Sequence, residues 1–438
     1  MADRAARAEE DGEKAAEKAA EKPAEVPEQA PGQVPEQARE QVSEQAIATF
    51  GFVRPSEAAA PAEPAPGPDD QWALPNGTAW VYHGDGHDDL VRPVILADGF
   101  NSGPSELNSW WEAVERGAYP FATELRRRGH DLVLVGYGER SRSILENAEA
   151  VRAAVLEAIA RRRGTTPLAV GGFGMGGLVA RYALAAMEHE RIDHQTAVYV
   201  SYDTPHRGAW VPIALQAFAH YIRPLKSGFS RQVNSDAARQ MLWRHVQEVD
   251  SPPNEHDERK RFLAALREVG WWPVRPVKIG VANGRADGTG NGIPAGAEAL
   301  KATGLVFRGT TLSTQAAGDG VAVGELRSVL ARPATVRTSE LPELDGAPGG
   351  MLDSFGILAD ELTKLGRTTV DWRSVCFVPT VSAAAIRDLD RQDHLYIDVN
   401  SLPPGQSELD AFACASDNGD HAAMTEELGG WILDRLPR

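Results

Sequence analysis

The sequence predicts an α/β fold built on a doubly wound, mostly parallel sheet, and three observations support this. Continuous apolar runs recur at 93–97 (PVILA), 132–136 (LVLVG), 197–202 (AVYVSY) and 277–282 (VKIGVA). Runs without polar alternation are what parallel strands need when both faces are buried. Between them lie stretches of helical spacing, such as Ala148, Val151, Val155 and Ile159. The third observation is 167–184, PLAVGGFGMGGLVARYAL, which compresses a strand, a glycine-dense turn and a helix. Strands alternating with helices imply right-handed crossovers and hence a parallel sheet.

Residues 1–72 read as a disordered acidic tail, and 73–438 as a single α/β domain. The tail is rich in Ala, Glu, Pro and Gln, with PEQA at 27–30 and 35–38 and SEQA at 43–46. It offers too little bulky apolar surface to offset the entropy of ordering. Residues 1–70 hold 16 acidic against 7 basic side chains, about half of the chain's net charge of −17. A protein partner for the repeats is a second reading beside a plain solvated tail. The acidic balance argues against nucleic acid as a partner. No apolar h-region follows Met1, and no run reaches the ~18 apolar residues of a membrane span. The default compartment is therefore the cytoplasm. Cys376 and Cys414 are too few for a disulfide framework, and Cys376, in an apolar run, is expected to be buried. Neither a metal site nor a cofactor is expected.

Along the body, 79–82 reads as an edge strand and 106–128 as one helix with Trp110, Trp111, Phe121 and Leu125 on its apolar side. Residues 209–272 are helical in pattern and open on a strongly apolar piece, 210–222. Short β-like runs between glycines mark a β-rich insertion at about 294–340. A helix is expected over 351–365 and a last buried strand over 375–381. A polar loop, 417–421, then leads into a C-terminal helix.

The glycine turn admits two readings. Gly172-Phe173-Gly174-Met175-Gly176 has the frame G-x-S-x-G, in which a strained strand-to-helix turn exposes a serine nucleophile. Here glycine holds the nucleophile position. Gly172, Gly174 and Gly177 also satisfy G-x-G-x-x-G, the dinucleotide-binding pattern. That fingerprint wants its glycines after the first strand and an acidic residue ~20 positions on. Two buried strands precede this turn, and Asp203 stands 26 residues beyond Gly177. Dinucleotide binding is thus the remote alternative.

Three separated motifs, Asp98-Gly99-Phe100, GFGMGGLVARYAL and SYDTPHRGA at 201–209, resemble the lipase/esterase branch of the α/β-hydrolase superfamily. The resemblance covers about 92–208 and departs from the branch pattern at Gly174 alone. It implies an α/β-hydrolase type of sheet, a helical lid or cap at about 209–272, and a small apolar or ester-containing ligand. An ordinary core helix is the other reading of 210–222. Acyl transfer requires a nucleophile, a base, an acid that orients the base, and two donors for the oxyanion. The order nucleophile, acid, histidine makes His421 the base. Asp287, just beyond the strand after the lid, is the expected acid, with Asp319 in G-D-G-V as its competitor. The backbone N–H groups of Phe100 and Met175 are the expected oxyanion donors, and His206 is read as a structural turn residue.

Without a hydroxyl at 174, hydrolysis through an acyl-enzyme is lost, leaving roughly 10³–10⁴-fold over water. The alternatives are a pseudoenzyme or binding module, and a nucleophile-free acid/base catalyst of cyclase or lyase type using His421. A change at one codon, natural or engineered, would leave the same pattern.

Overall fold

The computed structural model describes Phe52, Val53 and residues 63–225, 227–403 and 405–438. Most of the expected acidic tail lies outside the described residues. Seven strands open the main sheet: β1 (Asp70–Leu74), β2 (Gly77–Tyr82), β3 (Pro93–Ala97), β4 (Asp131–Tyr137), β5 (Leu168–Phe173), β6 (Thr196–Tyr202) and β7 (Val277–Ala282). A second, antiparallel sheet joins β8 (Glu298–Ala302), β9 (Thr310–Ser313), β10 (Ala322–Ser328) and β11 (Ala331–Arg337) to β13 (Thr368–Val370). Between them in sequence, β12 (Gly349–Leu352) pairs with β14 (Val375–Pro379), and β15 (Ala411–Cys414) closes the main sheet.

The main sheet runs β1-β2-β4-β3-β5-β6-β7-β15. Pairing is parallel from β4 through β15, and β2 alone runs against the other strands, pairing antiparallel with β1 and β4. The predicted fold class is therefore what the chain adopts.

Helices cover both faces of the sheet. They are α1 (Leu107–Glu115), α2 (Phe121–Arg127), α3 (Ile144–Arg161), α4 (Met175–His189), α5 (Ile213–Tyr221), α6 (Gly228–Val233), α7 (Asp236–Met241), α8 (Asp257–Glu268), α9 (Ser354–Thr363), α10 (Thr380–Ala383), α11 (Gln392–Leu395) and α12 (Glu426–Leu433). The pleat of β3 sorts them: Val94 and Leu96 pack with α1, α2 and α12, while Ile95 and Ala97 share a core with α3 and α4. Both faces are apolar, which is why these strands read as unbroken runs.

Five boundaries differ from the sequence reading. The expected edge strand is internal, because β1 pairs outside β2 and draws residues 70–72 of the expected tail into the sheet. The helix expected over 106–128 is two, since Pro120 has no N–H with which to continue α1 and instead caps α2. The run at 375–381 is buried but does not join the main sheet; β14 pairs with β12, and the four-residue β15 takes the edge. The apolar piece 210–222 is a core element: every residue of α5 is buried, and Phe218 meets Phe307 of the β-rich insertion edge-on, at 5.6 Å. Finally, Phe52, inside the expected tail, is fully buried.

Candidate active site

The glycine turn is local geometry first. Gly174, between β5 and α4, has φ 51° and ψ −118°, outside the regions open to residues with a Cβ. Its N–H donates to the Tyr202 carbonyl at 2.8 Å, which ties the turn to the end of β6. A Cβ at Gly176 would stand 2.2 Å from the Ala97 carbonyl oxygen and 2.5 Å from that of Asp98. The first turn of α4 thus lies directly against the end of β3, bringing Met175 beside Phe100.

His421 approaches from the C-terminal loop. An ideal Cβ on Gly174 would be 2.7 Å from His421 Nε2. The other ring nitrogen, Nδ1, bonds Asp203 Oδ2 at 2.7 Å. Asp203 is fully buried at the end of β6, with φ 45°, an unusual backbone that aspartate tolerates better than most residues. Its Oδ1 accepts from the Asn283 N–H at 3.0 Å, and Oδ2 also from the Ala422 N–H at 3.4 Å. This acceptor-only carboxylate requires a proton on His421 Nδ1, so neutral His421 presents a basic Nε2 toward Gly174. The ring is held further by the His421 N–H donating to the Met351 carbonyl at 2.7 Å and by the edge of Phe377, 4.9 Å between centroids.

A cavity of about 270 Å³ opens over these groups. Phe100, Trp110, Phe173, Met175, Phe377 and His421 line it, and Met241 and Leu352 complete the apolar wall. Neither the Phe100 nor the Met175 N–H makes a backbone hydrogen bond among the described residues. Met175 opens α4, where the first amides have no intrahelical acceptor and the helix dipole favours negative charge. One polar pair also borders the cavity: Asp98 Oδ2 accepts from Ser105 Oγ at 2.7 Å and lies 3.8 Å from Arg140 Nη1. Burial raises the Asp98 carboxyl above its ordinary value, against the pull of Arg140.

Of the residues read from sequence, the structure brings together Gly174, Met175, Phe100 and His421. Asp287 and Asp319 are elsewhere. Asp287 is half exposed, and its carboxylate is forked by Arg285 at 3.1 and 2.5 Å; that contact holds it below the usual carboxylate range. Asp319 is exposed on the turn before β10. The acid beside His421 is Asp203, one strand earlier than expected. It stands in S-Y-D-T-P-H, and the sequence pattern links it only to the acidic position of the dinucleotide fingerprint. The 210–222 segment does not line the cavity either; from the 209–272 region only Met241, the last residue of α7, does, beside Ser109, Trp110 and Ala113 of α1.

Of the three glycines in the dinucleotide pattern, Gly172 and Gly177 face Gly176 and Thr204, and Gly174 faces His421 Nε2 instead of open space. His206 is buried, bonded through Nε2 to Ser201 Oγ at 2.8 Å and packed on Trp272. Among the described residues, no group of His, Cys, Asp and Glu side chains is placed to hold a metal. No helix among them is long and apolar enough to cross a membrane.

No protein-family description matches the chain, and no curated protein does. Solved structures give partial matches. Est1E from Butyrivibrio proteoclasticus is 17% identical over 29% of this chain and 46% of its own, with a TM-score of 0.23. A Bacillus licheniformis lipase in its mature form is 15% identical over 49% of this chain and 74% of its own, at 0.30. A thermostable carboxylesterase cloned from a metagenomic library is 16% identical over 57% and 77%, at 0.31. The chain thus spans less than half of the first of these. The fold rests on its own strand order and register, given above.

Proposed function

We propose that this chain is a lipase/esterase-like α/β-hydrolase-fold protein that binds a small apolar, ester-like molecule over Gly174. Asp203 and His421 stand as acid and base, and Phe100 and Met175 as oxyanion donors. Glycine occupies the place of the serine nucleophile. The observation that supports this best is the line Asp203–His421–Gly174, with 2.7 Å from carboxylate to ring and 2.7 Å from ring to the site of a Cβ. That is the order in which an acid fixes the tautomer of a base and the base faces the position that would carry a nucleophile. The chain as it stands binds esters without forming an acyl-enzyme. The Gly174→Ser variant tests the reading: fluorophosphonate labelling at position 174 supports it, and a folded variant that stays unlabelled overturns it.

A second reading is favoured by the intact Asp203–His421 pair, which simple ligand binding does not require. In that reading Nε2 takes a proton from a water or from the ligand itself, and the amides stabilise the resulting oxyanion. Slow turnover by the unaltered chain, insensitive to fluorophosphonate and abolished in His421→Ala, is its signature.

A further inference from the structure

We infer that Val53, anchored by Phe52, is a specificity-determining wall of the cavity, and that it limits the ester to a short acyl chain. This rests on the ester-binding reading of the cavity above. The two residues lie far in sequence from everything they touch. Phe52 is fully buried, its ring stacked on Phe100 at 5.2 Å and 7° between planes, with Phe377 at 6.4 Å. Val53, next in the chain, lines the cavity itself.

The main chain of the pair is held as deliberately as its rings. Gln232 Oε1 accepts from the Phe52 N–H at 2.8 Å and from the Val53 N–H at 3.4 Å, while its Nε2 donates to the Val53 carbonyl at 3.3 Å. Ser354 Oγ donates to the Phe52 carbonyl at 3.3 Å. Gln232 and Ser354 are themselves buried; Gln232 Nε2 also donates to Ser102 Oγ at 3.3 Å, but the Gln232 Oε1 acceptor is satisfied by this segment. The site is built to receive these two residues.

Their placement gives the wall its selectivity. Phe100, whose ring carries Phe52, also bears one of the two amides assigned to the oxyanion. Val53 and Phe100 therefore border the same cavity, and we take the Val53 side as the one that receives the acyl chain. With Val53 in place the cavity is about 270 Å³, below the ≈ 300–1,000 Å³ of drug-sized ligand sites. Val53 forms part of the wall of that volume, so the size of its side chain sets how much room is left beside it for a longer acyl chain.

Because position 174 holds glycine, unhydrolysed esters can be titrated calorimetrically into the full chain. Methyl butyrate and methyl octanoate are the probes, and the readout is the ratio of their affinities. Val53→Ala should raise the octanoate-to-butyrate ratio about tenfold and Val53→Phe should lower it by as much, the scale on which an apolar pocket discriminates chain length. Phe52→Ala should act like Val53→Ala by releasing the wall. Phe52→Leu, which keeps an apolar anchor, should return the ratio toward that of the unaltered chain. A ratio that stays constant across folded Val53 variants overturns the inference and leaves the ester-binding reading intact. Equal tightening of both esters in Phe52→Ala also overturns it, since the segment would then compete with ligand instead of shaping its site. If neither ester binds any of the proteins, the ester-binding reading fails and takes this inference with it.

Discussion

His421 Nε2 lies 2.7 Å from the point where a Cβ on Gly174 would stand, closer than real Cβ contacts. The ring has settled into space that a side chain would claim, and Asp203 and Phe377 hold it there. Gly174→Ser must therefore do two things at once: force a Cβ into a left-handed turn and push the imidazole back out of a contact that real Cβ atoms do not make. The first costs about 1–3 kcal/mol. The second is feasible because the contact is with the far end of a side chain. The expected outcome is a less stable protein that gains esterase activity and labels at 174. Gly174→Ala is the control, with a similar loss in denaturant midpoint and no labelling.

Stability should fall as the solution is acidified through the histidine range. Burial lowers the pKa of His130 to about 4 and of His245 to about 3, and holds His206 well below its ordinary value, with Arg181 and Arg207 adding to the shift. A histidine whose folded pKa is depressed binds its proton more readily in the unfolded chain. Stability from such groups is present above the unfolded pKa of about 6.5 and is lost as pH falls from there toward the folded values. Each fully engaged histidine contributes a slope of about 1.4 kcal/mol per pH unit. Urea midpoints at pH 7 and pH 5 measure it. His206→Gln should flatten that dependence whatever it does to absolute stability, and an unchanged slope would mean that His206 is protonated in the fold.

The sheet was legible in the sequence because its strands are buried on both faces and announce themselves as unbroken apolar runs. β15 was not, because Phe412 and Cys414 are only two bulky residues in a four-residue strand at the edge. His421 could be found from chain order and from its polar loop before a helix. Asp203 was missed for a physical reason: whether the acid follows one strand or the next depends on which strand end the C-terminal loop crosses, a tertiary fact. Asp287 sits at an equally plausible strand end, but Arg285, two residues away, occupies its carboxylate. Phe52 went unnoticed because a short aromatic cluster inside an Ala/Glu/Pro/Gln-rich stretch has no periodicity of its own.

Removal of the N-terminal residues should show a threshold. Deleting 1–45 removes Ala/Glu/Pro/Gln-rich sequence with little bulky apolar surface to pack, and the thermal midpoint should not move. Deleting 1–62 removes Phe52 and strands the buried Gln232 Oε1 acceptor. Loss of a buried phenylalanine costs about 3–5 kcal/mol, but the segment can undock on its own, so its docking energy caps the fall. A clear drop in midpoint is expected for the longer deletion only. Equal midpoints for both would mean that Phe52 contributes nothing to the fold.

The two candidate acids make opposite predictions in a Gly174→Ser background. Asp203→Asn keeps the shape but supplies an amide that can donate as well as accept, which allows His421 the wrong tautomer and removes the charge facing a developing imidazolium. Activity should fall by about 10⁴-fold, the scale of the same change in other triads. Asp287→Asn should leave activity within about twofold, because its partners Arg285 and Thr289 are not in the cavity. Its effect belongs to the surface, where solvent screens the Asp287–Arg285 pair. Fluorophosphonate labelling rates separate the two without any knowledge of the natural ester. Slow labelling in Asp287→Asn with normal labelling in Asp203→Asn would mean that His421 turns to a different acid when ligand is bound.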